Sequence, residues 1–137
     1  MPTIELVVVQ PTPFCNIDCR YCYLPERSSR AVVAPETLSN LFSQVFASGW
    51  VRDCLSVVWH AGEPLVLPVE FYRNAFRTIE ALKPAELMVA HSFQTNGTLI
   101  DEAWCEFFAE HHVKGSNANI PSRQNCSGDR VQFKKVV

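Results

Sequence analysis

Three of the chain's six cysteines fall within eight residues, Cys15-Asn-Ile-Asp-Cys19-Arg-Tyr-Cys22, a C-x3-C-x2-C spacing. Three thiolates this close together can wrap one small metal site. An iron–sulfur cubane holds four irons and normally takes four protein ligands, so three local cysteines would leave one iron open to chelate a small molecule. Two other readings fit the same residues. A structural zinc site could recruit Cys54, Cys105 or Cys126 as fourth ligand, although zinc motifs usually come as two paired knuckles and no second C-x2-C is present. A ferredoxin-type electron carrier would need a fourth nearby cysteine and Cys-Pro signatures, which the sequence lacks.

The elements that must position this loop alternate between strand and helix. Ile4–Val9 is short, β-branched and bounded by Pro-Thr-Pro, which predicts a buried strand directly before the cysteines. Leu38, Leu41, Phe42, Val45 and Phe46 share one helical face, with Pro35 suited to the first turn and Gly49 to the stop. Leu55–Trp59 predicts a second strand. Phe71, Tyr72, Ala75, Phe76, Ile79 and Leu82 mark a second amphipathic helix ended by Lys83-Pro84. Leu87–Phe93 predicts a third strand, and a third helix begins at the N-cap Asp101 and turns Trp104, Phe107 and Phe108 inward. Three βα units in succession imply an α/β fold with a parallel sheet and right-handed crossovers. Periodicity alone does not separate an open doubly wound sheet from part of a barrel.

Two further segments lie in strand-end loops, where parallel α/β folds bind their ligands. Trp59-His60-Ala61-Gly62-Glu63-Pro64-Leu65 follows the second strand. Gly62 permits close backbone approach, Glu63 offers an acceptor for a cation, and Pro64 ends the strand. Gln94-Thr95-Asn96-Gly97 follows the third strand; its amides can hydrogen-bond a ligand, or it can serve as a plain turn into the third helix. His60 stands at the same rim, either as a contact residue or as a satisfied turn residue. His91 lies within a strand and reads as structural. His111-His112 closes the third helix, where an imidazolium suits the dipole better than a metal. Cys54 and Cys105 read as small buried hydrophobes.

In the order cysteine loop, Ala-Gly-Glu-Pro, Thr-Asn-Gly, the chain resembles radical SAM enzymes of the SPASM branch. These include anaerobic sulfatase maturases and maturases that crosslink glycine-rich peptides. The resemblance covers roughly residues 4 to 112. It implies part of a radical SAM partial TIM barrel, with Cys15, Cys19 and Cys22 ligating a [4Fe–4S] cluster whose open iron binds S-adenosylmethionine. An electron from such a cluster cleaves the sulfonium and yields a 5′-deoxyadenosyl radical. The resemblance further implies that Gly62, Glu63 and Pro64 seat the methionyl end, that Tyr21 flanks the adenine and that Asn96 shapes the pocket. Ala61 stands where the family more often has glycine. A peptide or protein substrate and a reductant such as flavodoxin or ferredoxin are the implied partners. No side chain is assigned as acid, base or nucleophile.

Apolar residues make up 47% and charged residues 19% of the chain, which favours a folded core over disorder. The net charge of −2 gives no reason to expect nucleic acid, and no apolar run reaches membrane-spanning length. The N-terminus lacks a basic-flanked apolar stretch, so a cytoplasmic location is expected, with cysteines as ligands or buried thiols. Residues 1–112 carry seven basic against thirteen acidic side chains, a net of −6. Residues 113–137 carry Lys114, Arg123, Arg130, Lys134 and Lys135 against Asp129 alone, a net of +4. A boundary is therefore expected near residue 113, between the N-terminal half of a radical SAM core and a divergent, disordered basic tail. The third strand would then be an open edge, as in a truncated or frameshifted reading frame. Three functions follow from these residues: a radical SAM maturase core, a non-catalytic iron–sulfur fragment, or a zinc-stabilised interaction module.

Overall fold

The computed structural model of the chain describes residues 2–18, 20, 22, 24–116 and 133–134. Cys19 and Tyr21, an expected ligand and the expected adenine neighbour, lie outside the described residues, as do residues 117–132 and 135–137 of the expected tail.

The elements are β1 (Leu6–Val9), α1 (Pro35–Ala47), β2 (Cys54–Trp59), α2 (Val69–Leu82), β3 (Met88–Gln94), α3 (Glu102–Glu110), β4 (Lys114–Ser116) and β5 (Phe133–Lys134), with a short 3-10 turn over Pro64–Val66. The five strands form one sheet in the order β1-β2-β3-β4-β5, each parallel to its neighbour. A doubly wound sheet reverses its strand order at a switch point. This order never reverses, which is the progression of a barrel wall and resolves the ambiguity that periodicity leaves.

Alternation along the strands shows which face is covered. Leu55, Val57 and Trp59 of β2 are fully buried, and Phe93 of β3 joins them beneath the helices. The alternate positions point the other way: Leu6 and Val8 of β1, opposite Ser56 and Val58, and Met88 of β3, opposite Cys54, are exposed. Thus α1–α3 cover one face of the sheet, as in the outer layer of a barrel. The covered core is aromatic. Tyr72 of α2 meets Trp59 edge-on at 5.3 Å, Phe93 at 4.8 Å and Trp104 at 5.6 Å, and each such buried side chain contributes about 2 kcal/mol through area removed from water. His91 belongs to this layer, stacked on Phe76 at 3.7 Å and accepting a 3.2 Å hydrogen bond at Nδ1 from the Trp59 indole. Burial pushes its pKa down to about 3, the state of a structural imidazole that stays neutral.

Local chemistry explains the element ends. Pro35 occupies the first turn of α1, Gly49 follows it at φ +71°, and Asp101 caps α3 by accepting from the Trp104 amide at 2.9 Å. Five expectations are corrected, the first being Cys105 of α3, which is half-buried and disulfide-bonded and not a buried free thiol. Leu41 is 38% exposed, because the buried stripe of α1 runs through Leu38, Phe42 and Val45. Cys54 is exposed at the start of β2, at the end of the strand away from the cysteine loop. His111 caps α3 against Phe107 and Phe76, where burial lowers its pKa and favours the neutral ring over the imidazolium. Finally, β3 is not the edge: Ser92, Phe93 and Gln94 pair with Lys114, Gly115 and Ser116 of β4. Three residues are too short a run for strand periodicity to reveal.

Candidate active site

The loops after β1, β2 and β3 meet at the carboxyl edge of the sheet. Cys15 and Cys22, both free and half-buried, belong to the first. The loop is closed at its base by the Cys15 amide donating to the Arg27 carbonyl at 3.0 Å, and by an Arg27–Asp18 ion pair at 2.7 Å.

The second loop is pressed against the first. Gly62 has φ +54°, and a Cβ placed there would meet the Phe14 carbonyl oxygen at 2.3 Å and the Pro13 carbonyl carbon and oxygen at 2.6 Å. The next amide, Glu63 N–H, donates to that Phe14 oxygen at 2.8 Å. Only a residue without a side chain lets the two backbones come this close. Ala61, at φ +68°, also adopts the left-handed region that L-residues avoid. Ala61→Gly is expected to raise stability by about 0.5–1 kcal/mol, relief of left-handed strain minus the added flexibility of the unfolded chain. Urea unfolding checks it; a lower midpoint for the variant would refute the strain.

Glu63 is fully buried. The Thr95 hydroxyl lies between both of its carboxylate oxygens, 2.8 Å from Oε2, and the Asn96 amide donates to Oε2 at 3.1 Å. Desolvation raises its pKa to about 7, with the hydrogen bonds from Thr95, Asn96 and Leu65 opposing. The expected cation acceptor is thus turned inward and ties the second loop to the third. Pro64 is buried beside it, its carbonyl accepting from the Tyr72 hydroxyl at 2.6 Å.

The third loop reaches back to the first. Asn96 Nδ2 donates to Asn16 Oδ1 at 2.9 Å and faces Cys15 Sγ at 4.0 Å. Asn16 Nδ2 donates to the Thr98 hydroxyl at 2.8 Å, which in turn donates to Asn96 Oδ1 at 2.8 Å. Cys15, Gly62, Glu63, Pro64 and Asn96, separated by up to 81 positions, are therefore brought together. His60 stands at the same rim, hydrogen-bonded to Gln94, its pKa lowered by burial. Asn16, Tyr72, Thr95 and Thr98 are additional members. The Thr-Asn-Gly sequence contains the signal for Thr95; nothing local marks Tyr72, whose role arises from helix packing.

The residues present fit an iron–sulfur group. Thiols are soft donors that suit iron, the Asn96 amide beside Cys15 can donate to a sulfur, and Gly62 keeps the neighbouring loop close without a side chain in the way.

The model of the radical SAM superfamily matches residues 9–122. The serine-type anaerobic sulfatase-maturating enzyme of Klebsiella pneumoniae is 34% identical over 101 residues, 72% of this chain and 26% of that protein. The cysteine-type anaerobic sulfatase-maturating enzyme of Clostridium perfringens strain 13 is 30% identical over 143 residues, 93% of this chain and 38% of that protein. Among solved structures, anSMEcpe with bound AdoMet superposes with a TM-score of 0.75 at 26% identity, over 88% of this chain and 33% of that one. The same enzyme with AdoMet and the Cp18Cys peptide gives a TM-score of 0.74, over 89% and 33%. This chain spans only about a quarter to two-fifths of the length of these relatives. With a parallel sheet in barrel order, three converging strand-end loops and a family match over most of its length, the chain belongs to the radical SAM superfamily.

Proposed function

We propose that this chain binds a [4Fe–4S] cluster through Cys15, Cys19 and Cys22 and S-adenosylmethionine beside it, as part of a radical SAM enzyme that modifies a peptide or protein. Held by these cysteines and reduced, such a cluster would supply the one electron for cleavage of the S-adenosylmethionine sulfonium to methionine and a 5′-deoxyadenosyl radical. The observation that carries this reading is the convergence of the three loops on Cys15, with Gly62 packed on the cysteine loop and Asn96 reaching its sulfur.

The chain's own residues then have distinct tasks. Gly62 and Glu63 hold the second loop against the cysteine loop, leaving the local backbone to meet the methionyl ammonium. Pro64, fixed from below by Tyr72, ends the turn. Asn96 shapes the pocket from the third loop, and Tyr21 is assigned to the adenine. The substrate is read as a peptide because the sulfatase-maturating relatives act on proteins by name and one solved neighbour holds a peptide. A flavodoxin or ferredoxin is the proposed electron source and the cytoplasm the proposed site of action. Among the described residues no helix is long and apolar enough to cross a membrane.

Anaerobic reconstitution with iron and sulfide, then reduction with S-adenosylmethionine, tests the reading. About four irons per chain with 5′-deoxyadenosine formed is the expected result. A loaded cluster without 5′-deoxyadenosine would make the chain an inert iron–sulfur fragment. Zinc bound in place of any cluster would overturn the cofactor assignment and favour an interaction module.

A further inference from the structure

We propose that Asn96 is a hydrogen-bond donor to the Cys15 sulfur and thereby raises the reduction potential of the cluster held there; this rests on the cluster reading above. The orientation of the amide is fixed by its partners. Asn96 Oδ1 accepts from two groups of Thr98, the backbone N–H at 3.0 Å and the hydroxyl at 2.8 Å. Both are donors, so the oxygen must face them and the NH2 must face away. Of its two hydrogens, one goes to Asn16 Oδ1 at 2.9 Å, and the other is aimed at Cys15 Sγ at 4.0 Å. Asn16 closes the ring through its own NH2 on the Thr98 hydroxyl. The Asn96 backbone N–H is fixed as well, on the buried Glu63 carboxylate. The side chain is thus held from both ends by partners that do not ligate metal, with one N–H left for the sulfur.

A donor at a ligating sulfur favours the state with more negative charge on the cluster. Reduction adds one electron, so the hydrogen bond strengthens on reduction and eases it. Outer-shell partners of this kind tune a metal centre without belonging to its ligand set. Asn96 is therefore a positioning and tuning residue, and its effect belongs in the potential more than in iron content.

The test is a redox titration of the reconstituted full chain, wild type against Asn96→Leu, followed by electron paramagnetic resonance of the reduced cluster. The expected result is equal iron content with the oxidised-to-reduced ratio at a given solution potential raised about tenfold, which for one electron is about 59 mV. An exchangeable-proton coupling to the wild-type cluster should disappear in the same variant. An unmoved potential at full iron loading overturns the proposal, and so does loss of iron, which would mark a purely structural role. Should Asn96→Leu fail to fold, Thr98→Val carries the test, since it removes one of the two donors that orient the amide. A fall in potential, smaller than tenfold in the same ratio, supports the proposal there, and an unchanged potential overturns it. A wild-type chain that binds no iron removes the functional reading itself, and is thereby distinguished from failure of this inference alone.

Discussion

Gly62→Ala is expected to cost on the order of 2–3 kcal/mol of folding stability and to weaken cluster retention at least about tenfold. Two effects add. The first is conformational: at φ +54° an L-residue carries the left-handed penalty of about 1–2 kcal/mol. The second is spatial. The new methyl would lie 2.3 Å from the Phe14 carbonyl oxygen and 2.6 Å from two Pro13 atoms, all of them backbone, so no side chain can rotate aside. The loops must separate, and the Glu63 N–H to Phe14 hydrogen bond, worth about 1 kcal/mol, goes with them. Because Phe14 immediately precedes Cys15, the displacement passes directly to the proposed ligand. Gly49→Ala is the control. Gly49 has φ +71° but nothing within 4 Å of its would-be Cβ, so it carries only the conformational penalty. Urea midpoints and iron per chain after anaerobic reconstitution are the measurements. If Gly62→Ala matches Gly49→Ala in both, the close approach of the two loops has no bearing on the site.

The same pair of loops marks where sequence reasoning reaches and where it stops. The three motifs are legible because each combines local backbone chemistry with a place just after a strand, and strand ends are easy to read when the strands are short and β-branched. Gly62 is legible as a point of close approach, though not what approaches it. Glu63 illustrates the limit. A carboxylate in a loop reads as a solvent-facing acceptor, but Thr95, 32 positions away, takes it into the interior. Its burial depends on the register of β2 with β3, Trp59 opposite Phe93, which sets the two loops side by side. Asn16 and Thr98 are ordinary turn residues until the fold places them together. β4 escapes sequence reading because a three-residue strand with Gly at its centre carries neither period nor propensity.

Glu63→Gln is expected to change the pH dependence of stability, with a sign set by burial. The Glu63 pKa rises from an ordinary 4.5 to about 7, mainly by desolvation. Between those values the folded chain keeps a proton that the unfolded chain has lost, so stability falls as pH rises. The contribution is fully present below about pH 4.5 and gone above about pH 7, at about 1.4 kcal/mol per pH unit and about 3 kcal/mol in all. His91 acts in the opposite direction. Burial holds its folded pKa near 3, so the folded ring stays neutral where the unfolded one binds a proton, and stability rises with pH up to the ordinary histidine value. Through the overlap, roughly pH 4.5 to 6.5, these two slopes oppose each other and the wild-type profile is flattened. The substituted glutamine cannot ionise, so the variant should show the histidine slope uncovered. Its stability relative to wild type should climb steadily from about pH 4.5 to about pH 7 in urea unfolding of the cluster-free chain. The new NH2 also sets a donor against Thr95 or the Asn96 N–H, so the variant starts below wild type at acid pH, by about 1–3 kcal/mol for a buried polar group left without its partner. Parallel profiles for the two proteins would mean that Glu63 is ionised throughout this range, and that the Thr95 and Asn96 donors outweigh the cost of burying its charge.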